Sequence, residues 1–542
     1  MNLFYILRNS SHSNLSYTIL NVKSSTEKSA RRRTGGRQSK RERRRQGKAF
    51  GNSSPYIQRH VGRIGLLDDA GLSLIEKNAD RILDQIGMDF RDDPETLDIF
   101  SQAGCRVSGE RVRFEPGFCR EVIQNSAPQQ FTQYARNPAR SVKIGGKNSL
   151  FCPSFGSPFV HDMDRGRRYS TCEDFENLTR LHYMLDSVHH SGGVVCEPVD
   201  LPVSERHLFM AKTHLKLSDK PFMGAVTARE RAADTVEMVR IVFGEKFVNE
   251  NCCLYSVVNT NAPLVLDATM LEALKVYAKA NQAVVVSPFV LGGAMSPVSV
   301  AATLAQVLAE VLAGLCLIQL IRPGAPAVFG TFFSPISLQS GATTFGTPEG
   351  MQFQMCARSL ADRLGVPLHS VGALTASKVP DAQAAYESAT QLIGSFMAGT
   401  HFIIHATGCL ESLLTVGYEK VIMDADRCAM LAAFADKVDL SDEAQAWDAF
   451  EEVEPGHHFL EAGHTQRNFE TAFFQSSVAD NKSFEQWQAE GSSWQHERAN
   501  ETWKKMLNEY QPPPIESDIA EALDEFVLRR LKEIRTQQRG IQ

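Results

Sequence analysis

The feature of this sequence that most constrains its fold is a repeat of short β-rich runs, each followed by a segment with helical periodicity. Continuous apolar runs are typical of strands in a sheet that is covered on both faces, and the intervening segments are long enough to connect parallel strands. The eight runs are SLFCPSFG, GGVVCEPV, PFMGAVT, LYSVVNTN, AVVVSPFVLGG, PAVFGTFFSP, LHSVGALTAS and HFIIHATG. This repeat predicts an α/β fold with a (β/α)8 barrel, or TIM barrel, over residues 149–440.

An open, doubly wound sheet is the alternative that uses the same alternation of strands and helices. Such a sheet usually has fewer strands and carries a glycine-rich phosphate turn after its first strand. The sequence contains neither GxGxxG nor GxxxxGK[ST], so nucleotide binding has little support. We therefore favour the barrel.

Three flanking regions complete the predicted organisation. Residues 1–50 hold 13 Lys and Arg against two acidic residues and include RRRTGGRQSKRERRRQGK, which predicts a disordered basic tail. That tail is either a solvated segment or an electrostatic arm for an acidic partner, a membrane surface or nucleic acid. Residues 51–148 read as an N-terminal helical region, and residues 441–542 as a C-terminal helical extension. The four tryptophans lie in this last region, where we expect them to dock helices onto the barrel.

Composition limits the compartment and the kinds of partner. No stretch reaches 18 consecutive apolar residues, so we predict no membrane span, and we expect neither nucleic acid nor membrane as a partner. Residues 1–20 lack the pattern of a signal peptide. Eleven cysteines are scattered without a CxxC spacing, which indicates free thiols in a reducing, cytoplasmic compartment and argues against structural zinc.

In a barrel of this kind the functional groups lie at the C-terminal ends of the strands and in the loops that follow. There the sequence has no HExxH, no GxSxG and no close pair of carboxylates, and we assign neither a catalytic side chain nor a metal ligand. The candidate substrate-binding residues are instead aromatic or neutral, with few charges: Phe155, Glu197, Asn259, Phe289, Phe332, Ser334, Phe345, Lys378, Gln383, Tyr386 and His405.

A mouth rich in aromatic rings suits a cationic ligand that has no N–H to donate. Aromatic faces hold quaternary ammonium groups, with about 0.5 to 2 kcal/mol for each good contact. Any single phenylalanine is more often a packing residue, so the cluster carries this interpretation. The same two readings stay open for His405, which is either a ligand of the substrate or a satisfied core histidine.

Several motifs resemble the trimethylamine methyltransferase family. They are RRRTGGR, GGVVCEPVDLPVSERHLFMAK, VFGTFFSPISLQSGATTFGTPEG, SKVPDAQAAYESA and GHHFLEAGHT, in that order from about residue 30 to about residue 515. The likeness is strongest to members that lack pyrrolysine and act on quaternary amines such as glycine betaine. In the pyrrolysine-containing members that residue lies in the barrel mouth, and its counterpart here falls in or near 375–383, which holds the ordinary residues Ser377, Lys378, Asp381 and Gln383.

The resemblance implies a barrel that transfers a methyl group from an amine to the Co(I) of a corrinoid protein. The cobalamin is then carried by that partner protein, and no cofactor is bound by the chain itself. A quaternary ammonium leaves as a neutral tertiary amine, so direct SN2 attack on an N-methyl carbon needs positioning and desolvation more than acid–base chemistry. We also expect a homo-oligomer.

Lys378 stands between a strand and a helix, where its ammonium could pair with the carboxylate of a betaine or carnitine. A solvent-facing loop lysine is the equally plain alternative. Two other functions stay open at this point: a methyltransferase that uses a tertiary amine such as trimethylamine, and a protein that binds a quaternary amine without turnover.

Overall fold

The computed structural model describes residues 54–541, and the predicted basic tail at 1–50 lies outside the described residues. The N-terminal part mixes strands and helices. Its strands are β1 (Ile57–Gln58), β2 (Met88–Phe90), β3 (Arg106–Ser108), β4 (Arg111–Arg113), β5 (Gln130–Gln133) and β6 (Val142–Gly145). Its helices are α1 (Asp69–Arg81), α2 (Pro94–Gln102) and α3 (Phe118–Ser126), and a π-helical turn, Ile82–Ile86, follows α1.

The central part alternates strands and helices as the repeat predicts. Its strands are β7 (Asn148–Phe151), β8 (Phe159–Asp162), β9 (Gly166–Tyr169), β10 (Phe222–Met223), β11 (Leu254–Thr260), β12 (Val265–Leu266), β13 (Ala283–Gly292), β14 (Ala327–Gly330), β15 (Phe332–Pro335), β16 (Leu368–Val371), β17 (Phe402–Ile404), β18 (Cys409–Leu410) and β19 (Thr415–Gly417). Its helices are α4 (Cys172–Met184), α5 (Arg206–Leu217), α6 (Arg229–Phe243), α7 (Glu245–Glu250), α8 (Ala268–Lys279), α9 (Val300–Ile321), α10 (Pro348–Leu364), α11 (Ala382–Ala398) and α12 (Tyr418–Phe434).

The C-terminal part is helical. It contains α13 (Asp442–Gln445), α14 (Trp447–Glu452), α15 (Gly463–Asn468), α16 (Phe484–Ala489), α17 (Gln495–Glu509) and α18 (Ser517–Ile541). The indole of Trp503 packs on Tyr418 with ring centroids 4.9 Å apart, so this tryptophan docks its helix as expected. Trp447 and Trp494 are instead largely exposed, and for these two the expected docking role is wrong.

The main sheet is curled and almost entirely parallel. Its strand order is β1-β7-β17-β16-β14-β13-β11-β10, with β15 added alongside β13 and β1 antiparallel to β7. The fold is therefore mixed α/β, with helices between successive strands. The run GGVVCEPV, predicted as the second strand, forms no assigned strand; the backbone that hydrogen bonds to the neighbouring strands lies slightly earlier, at 189–192.

The two faces of the sheet are both apolar. Helix α9 packs on the outer face, and Gly314 lets it approach so closely that a Cβ there would lie 2.7 Å from Val286. This helix is long and apolar enough to cross a membrane by length and composition, but 89% of its apolar window is buried inside the protein. On the inner face, side chains of alternate residues form a separate cluster that includes Leu150, Tyr255, Val285 and Phe402.

The hairpin of β5 and β6 lies at the N-terminal ends of the strands. Val142 and Ile144 belong to the inner cluster, and the amide of Gln133 donates to the carbonyl of Phe222 over 2.9 Å. This hairpin covers one end of the interior. The opposite end, where the strands finish, carries most of the predicted site residues.

Candidate functional site

Four of the predicted aromatic residues line the interior of the curled sheet. Phe155, Phe289, Phe332 and Phe345 all belong to, or pack against, the inner apolar cluster. Phe289 and Phe332 are paired across β13 and β15, and their rings stack with centroids 4.3 Å apart and planes 20° apart. The sequence thus brings aromatic faces from three different strand ends to one place.

Close backbone packing fixes the positions of two of these rings. A Cβ at Gly193 would lie 2.8 Å from Cε2 of Phe155, so only glycine lets the Phe155 ring lie against this backbone. Gly346 has a φ of 66° and approaches α11 so closely that a Cβ there would lie 2.7 Å from Cα of Glu387. The neighbouring Phe345 is therefore held between its loop and α11.

His405 lies beside the rings and is held in one orientation. Its Nδ1 accepts the backbone N–H of Phe155 over 3.3 Å and lies 3.4 Å from Oγ of Ser154. Burial lowers the pKa of His405 to about 3, so the imidazole is neutral and its proton is on Nε2. Its ring contacts the edge of Phe332 at 6.3 Å between centroids, and its φ of 57° is unusual for a non-glycine residue.

The neutral state of His405 affects which ligands can bind beside it. A protonated imidazole would repel a cation bound among the rings, whereas the neutral ring offers one N–H donor. No hydrogen-bond acceptor contacts Nε2 within residues 54–541. This donor is available to the substrate.

The segment after β16 is fastened by a buried carboxylate. Glu387 accepts hydrogen bonds from Oγ1 of Thr375 at 2.6 Å, from the backbone N–H of Ala376 at 2.9 Å and from the amide of Gln383 at 2.9 Å. Asp381 caps α11 and accepts from Oγ of Ser377 at 2.8 Å. Glu387 was not among the predicted site residues, and its spacing of four from Gln383 along a helix was the available signal.

Lys378, Asn259 and Gln383 are predicted polar residues that the structure leaves exposed, and Gln383 is engaged with Glu387. Lys378 is exposed, and in the part of the chain that the structure describes its ammonium has no hydrogen bond or ion pair. Asn259 follows Tyr255 and Val257 on the inner face of β11, at the strand end, and is also exposed. The charge of Lys378 acts on the carboxylate of Glu411, whose pKa it helps to lower, so a substrate carboxylate would compete with Glu411 for this ammonium.

The structure places the remaining predicted residues in other roles. The carboxylate of Glu197 pairs with the guanidinium of Arg206 at 3.2 Å. Oγ of Ser334 is buried and donates to the carbonyls of Pro335 and Thr344 at 2.9 and 3.0 Å. Tyr386 is 59% exposed on α11. Ser334 lies on the same face of β15 as Phe332, and its bond to Thr344 places it next to Phe345. The binding roles of all three residues stay predictions.

Below the rings, a buried aromatic layer closes the interior. The hydroxyl of Tyr255 lies 3.0 Å from Nδ1 of His369, and its ring stacks on Phe402 at 4.2 Å. Burial lowers the pKa of His369 to about 3, so this layer carries no positive charge. Tyr255 and His369 were not predicted as site residues, because both lie inside strands and not at their C-terminal ends.

Metal ligands do not gather near the rings. Across residues 54–541, the group of His, Cys, Asp and Glu side chains close enough to share an ion is Asp93, Glu95 and Glu272, far along the chain from the ring cluster. The ammonium of Lys275 lies 2.7, 2.8 and 3.0 Å from their carboxylates and neutralises them. This group is therefore a salt-bridge network.

The chain resembles proteins of known activity along most of its length. A family model described as trimethylamine methyltransferase matches residues 33–535. Glycine betaine methyltransferase of Desulfitobacterium hafniense is 37% identical over 473 residues, which cover 87% of this chain and 98% of the relative. Proline betaine:corrinoid methyltransferase of Eubacterium limosum is 24% identical over 417 residues, 73% of this chain and 83% of the relative.

More distant relatives include the trimethylamine methyltransferase of Methanosarcina barkeri, 25% identical over 453 residues that cover 80% of this chain and 89% of the relative. Among solved structures, the monomethylamine methyltransferase of the same organism matches 83% of this chain and 95% of its own, with a TM-score of 0.43 and 12% identity.

Proposed function

Because the chain belongs to the trimethylamine methyltransferase family, we propose that it transfers a methyl group from a quaternary amine of the glycine betaine type to the Co(I) of a corrinoid protein. The chain is an amine methyltransferase. The observation that carries the choice of substrate is the cluster of Phe155, Phe289, Phe332 and Phe345 beside an imidazole that burial keeps neutral.

The chemistry of a quaternary ammonium fits this site. The substrate is already charged, so its amine leaves neutral and requires no proton from the protein. The ring cluster provides cation-binding faces and excludes water, and no carboxylate or thiol among the described residues is needed as an acid or base. A docked corrinoid supplies the Co(I) nucleophile for direct SN2 attack on an N-methyl carbon.

The protein's own groups position the two ends of the substrate. The ring faces hold the trimethylammonium group, and the fixed Phe289–Phe332 stack limits its rotation. The Nε2–H of His405 and the ammonium of Lys378 are donors for a carboxylate at the other end, and the amide of Asn259 is a third. This arrangement favours betaines over amines without an anionic group.

We further propose that the sheet closes into the (β/α)8 barrel that the repeat predicts. Three backbone hydrogen bonds support closure through residues 189–192. The N–H of His189 donates to the carbonyl of Phe151 at 3.0 Å, the N–H of Ser191 to that of Pro221 at 2.8 Å, and the N–H of Met223 to that of Gly192 at 2.8 Å. This segment thus bridges β7 and β10, the two open sides of the sheet.

The proposal includes a partner and a compartment. Cobalamin is carried by a separate corrinoid protein that reaches the ring cluster from the C-terminal ends of the strands. The eleven cysteines all have free thiols, which supports a cytoplasmic location.

Methyl transfer is tested with purified protein and photoreduced cob(I)alamin. Glycine betaine, proline betaine, carnitine, choline and trimethylamine are added singly while the Co(I) absorbance is followed. We expect loss of Co(I) with a carboxylated quaternary amine and none with trimethylamine. Reaction with trimethylamine alone would contradict the proposal and favour the tertiary-amine alternative.

A binder without turnover is distinguished in the same series. Calorimetry that shows tight binding of glycine betaine, combined with no methyl transfer to free cob(I)alamin or to any co-purified corrinoid protein, would contradict the enzymatic proposal.

A further inference from the structure

Helix α12 contains a buried salt bridge between Lys420 and Asp424. The two residues are 1% and 0% exposed, and the ammonium lies 2.5 Å from each oxygen of the carboxylate. Taking two ions out of water has a desolvation cost, and two apolar side chains of similar volume are often at least as stabilising. The contacts that this pair makes with neighbouring segments therefore explain it better than the stability that it adds.

One set of contacts leads from the salt bridge to the backbone of His405. The ammonium of Lys420 donates to Oγ of Ser388 on α11 over 2.9 Å, and that hydroxyl donates to the carbonyl of Ala373 over 3.0 Å. The N–H of Ala373 donates in turn to the carbonyl of His405 over 2.7 Å. Three successive hydrogen bonds thus connect α12 to the residue that bears the imidazole.

A second contact fixes the turn that follows His405. Oδ2 of Asp424 accepts the backbone N–H of Gly408, three residues after His405, over 2.9 Å. Oδ1 of the same carboxylate accepts from the guanidinium of Arg427 over 2.9 Å. The salt bridge therefore holds both ends of the turn 405–408, and Asp424 keeps a cationic partner if Lys420 is replaced.

This turn depends on contacts that hold it, because His405 has a φ of 57°. Such a conformation costs free energy for a residue other than glycine, and it persists where the surrounding structure imposes it. The contacts of the imidazole Nδ1, 3.3 Å to the N–H of Phe155 and 3.4 Å to Oγ of Ser154, are long for hydrogen bonds. The direction of the Nε2–H therefore depends strongly on how the backbone is anchored.

We propose that Lys420 is a positioning residue, which acts through Ser388 and Asp424 to hold His405 with its Nε2–H available to the carboxylate of the substrate. This inference deepens the proposed function and rests on it. The aromatic rings have no bond to the salt bridge, so its loss should weaken ligands that carry a carboxylate more than ligands that carry only the quaternary ammonium.

The test compares two buried serines on the same helix in the full chain. Ser388→Ala removes the hydroxyl that links Lys420 to Ala373. Ser395→Ala is the matched control, since Ser395 is equally buried about two turns further along α11 and its Oγ donates to Oγ1 of Thr400 over 3.1 Å, before β17 begins. Isothermal titration calorimetry measures the Kd for glycine betaine and the Kd for choline.

We expect Ser388→Ala to raise the Kd for glycine betaine about five-fold and the Kd for choline less than about two-fold, because only glycine betaine uses the charge-assisted hydrogen bond. Lys420→Met should change the ratio of the two constants in the same direction, by about ten-fold. Ser395→Ala should leave the ratio unchanged. Circular dichroism must show that the variants fold alike, and Ser388→Ala decides the question if Lys420→Met does not fold.

A double-mutant cycle tests whether the effect passes through the imidazole. His405→Gly removes the ring at a φ that glycine adopts readily, and adding Ser388→Ala to it should change neither Kd further. A ratio that Ser388→Ala leaves unchanged, or an equal loss in the His405→Gly background, would overturn the inference while the proposed function stands. An unmodified protein that binds no glycine betaine would overturn the proposed function and this inference with it.

Discussion

Replacing Phe332 by leucine should separate the cation–π contribution to ligand affinity from the contribution of apolar packing. The ring of Phe332 is buried, stacks on Phe289 at 4.3 Å and meets the edge of His405. A desolvated cation–π contact contributes about 2 kcal/mol, and leucine retains an apolar side chain of similar size. We therefore expect the Kd for glycine betaine to rise about 30-fold.

The comparison ligand is 3,3-dimethylbutanoate, which has the shape of glycine betaine but no positive charge. Leucine should weaken its binding by no more than about five-fold, since only packing is lost, at about 1 kcal/mol. The preference for the charged ligand therefore falls several-fold. Isothermal titration calorimetry on the full chain measures both constants directly.

The next residue supplies the control. Phe333 faces away from the interior and stacks on Phe353 at 4.7 Å, so Phe333→Leu changes packing without touching the ring cluster. The Phe333→Leu protein should prefer glycine betaine over 3,3-dimethylbutanoate as strongly as the unmodified protein does. If Phe332→Leu weakens both ligands equally, or if Phe333→Leu lowers the preference as much, the rings do not select charge.

Three further changes test neighbouring parts of the structure. Lys378→Met should raise the KM for glycine betaine much more than the KM for choline. Lys77 is also exposed, and Lys77→Met should change neither KM. An equal rise of both KM values in Lys378→Met would show that Lys378 does not bind the substrate carboxylate. Burial, reinforced by the charge of Lys220, lowers the pKa of His189 to about 3. The imidazole therefore stays neutral in the folded protein, whereas in the unfolded chain it gains a proton below its ordinary pKa of about 6.5. Stability is thus lost as pH falls from about 6.5 toward about 3, and His189 contributes about 2 kcal/mol of this loss between pH 7 and pH 5. His189→Asn, which keeps the hydrogen-bond acceptor, should reduce the fall of the urea midpoint by that share, while the buried His182, His214, His369 and His405 keep the rest; an unchanged slope refutes the assignment. Gly193→Ala should push the Phe155 ring from its place, because the added Cβ would lie 2.8 Å from that ring and 2.9 Å from Cβ of Met223, and kcat/KM should fall at least ten-fold. Overpacking costs about 1 to 3 kcal/mol, so the melting temperature should fall by a few degrees while the protein still folds; full activity would show that the ring is not positioned by this contact.

The sequence predicted the alternation of strands and helices because each buried strand is a short continuous apolar run. It misplaced the second run because the backbone that bridges β7 and β10 carries His189, His190 and Ser191, which are buried yet polar. Their hydrogen bonds, such as that from the N–H of Phe151 to Nδ1 of His189 at 3.0 Å, are long-range and leave no local pattern. Apolar periodicity alone cannot detect such a strand.

In the candidate site, too, long-range contacts decide what the local sequence pattern leaves open. Phe332 and Phe333 stand side by side in the sequence, and only the pairing of β15 with β13 decides which ring points inward, since neighbouring side chains in a strand face opposite sides. Glu387 was hidden because a buried carboxylate on a helix has the same local pattern as a solvated one. Its role becomes visible only when Thr375 is brought to it by the turn after β16.

The placement of charge explains how the interior can accept a cation. Burial keeps His405 and His369 neutral, so a cation bound at the rings meets aromatic faces and no positive charge on either imidazole. The buried guanidiniums of Arg59 and Arg358 lie instead at the N-terminal ends of the strands, where both donate to the carbonyl of Gly399. The length of the strands and the buried Tyr255 layer separate these cations from the rings, so the end of the sheet that carries the aromatic residues is the end suited to a quaternary ammonium.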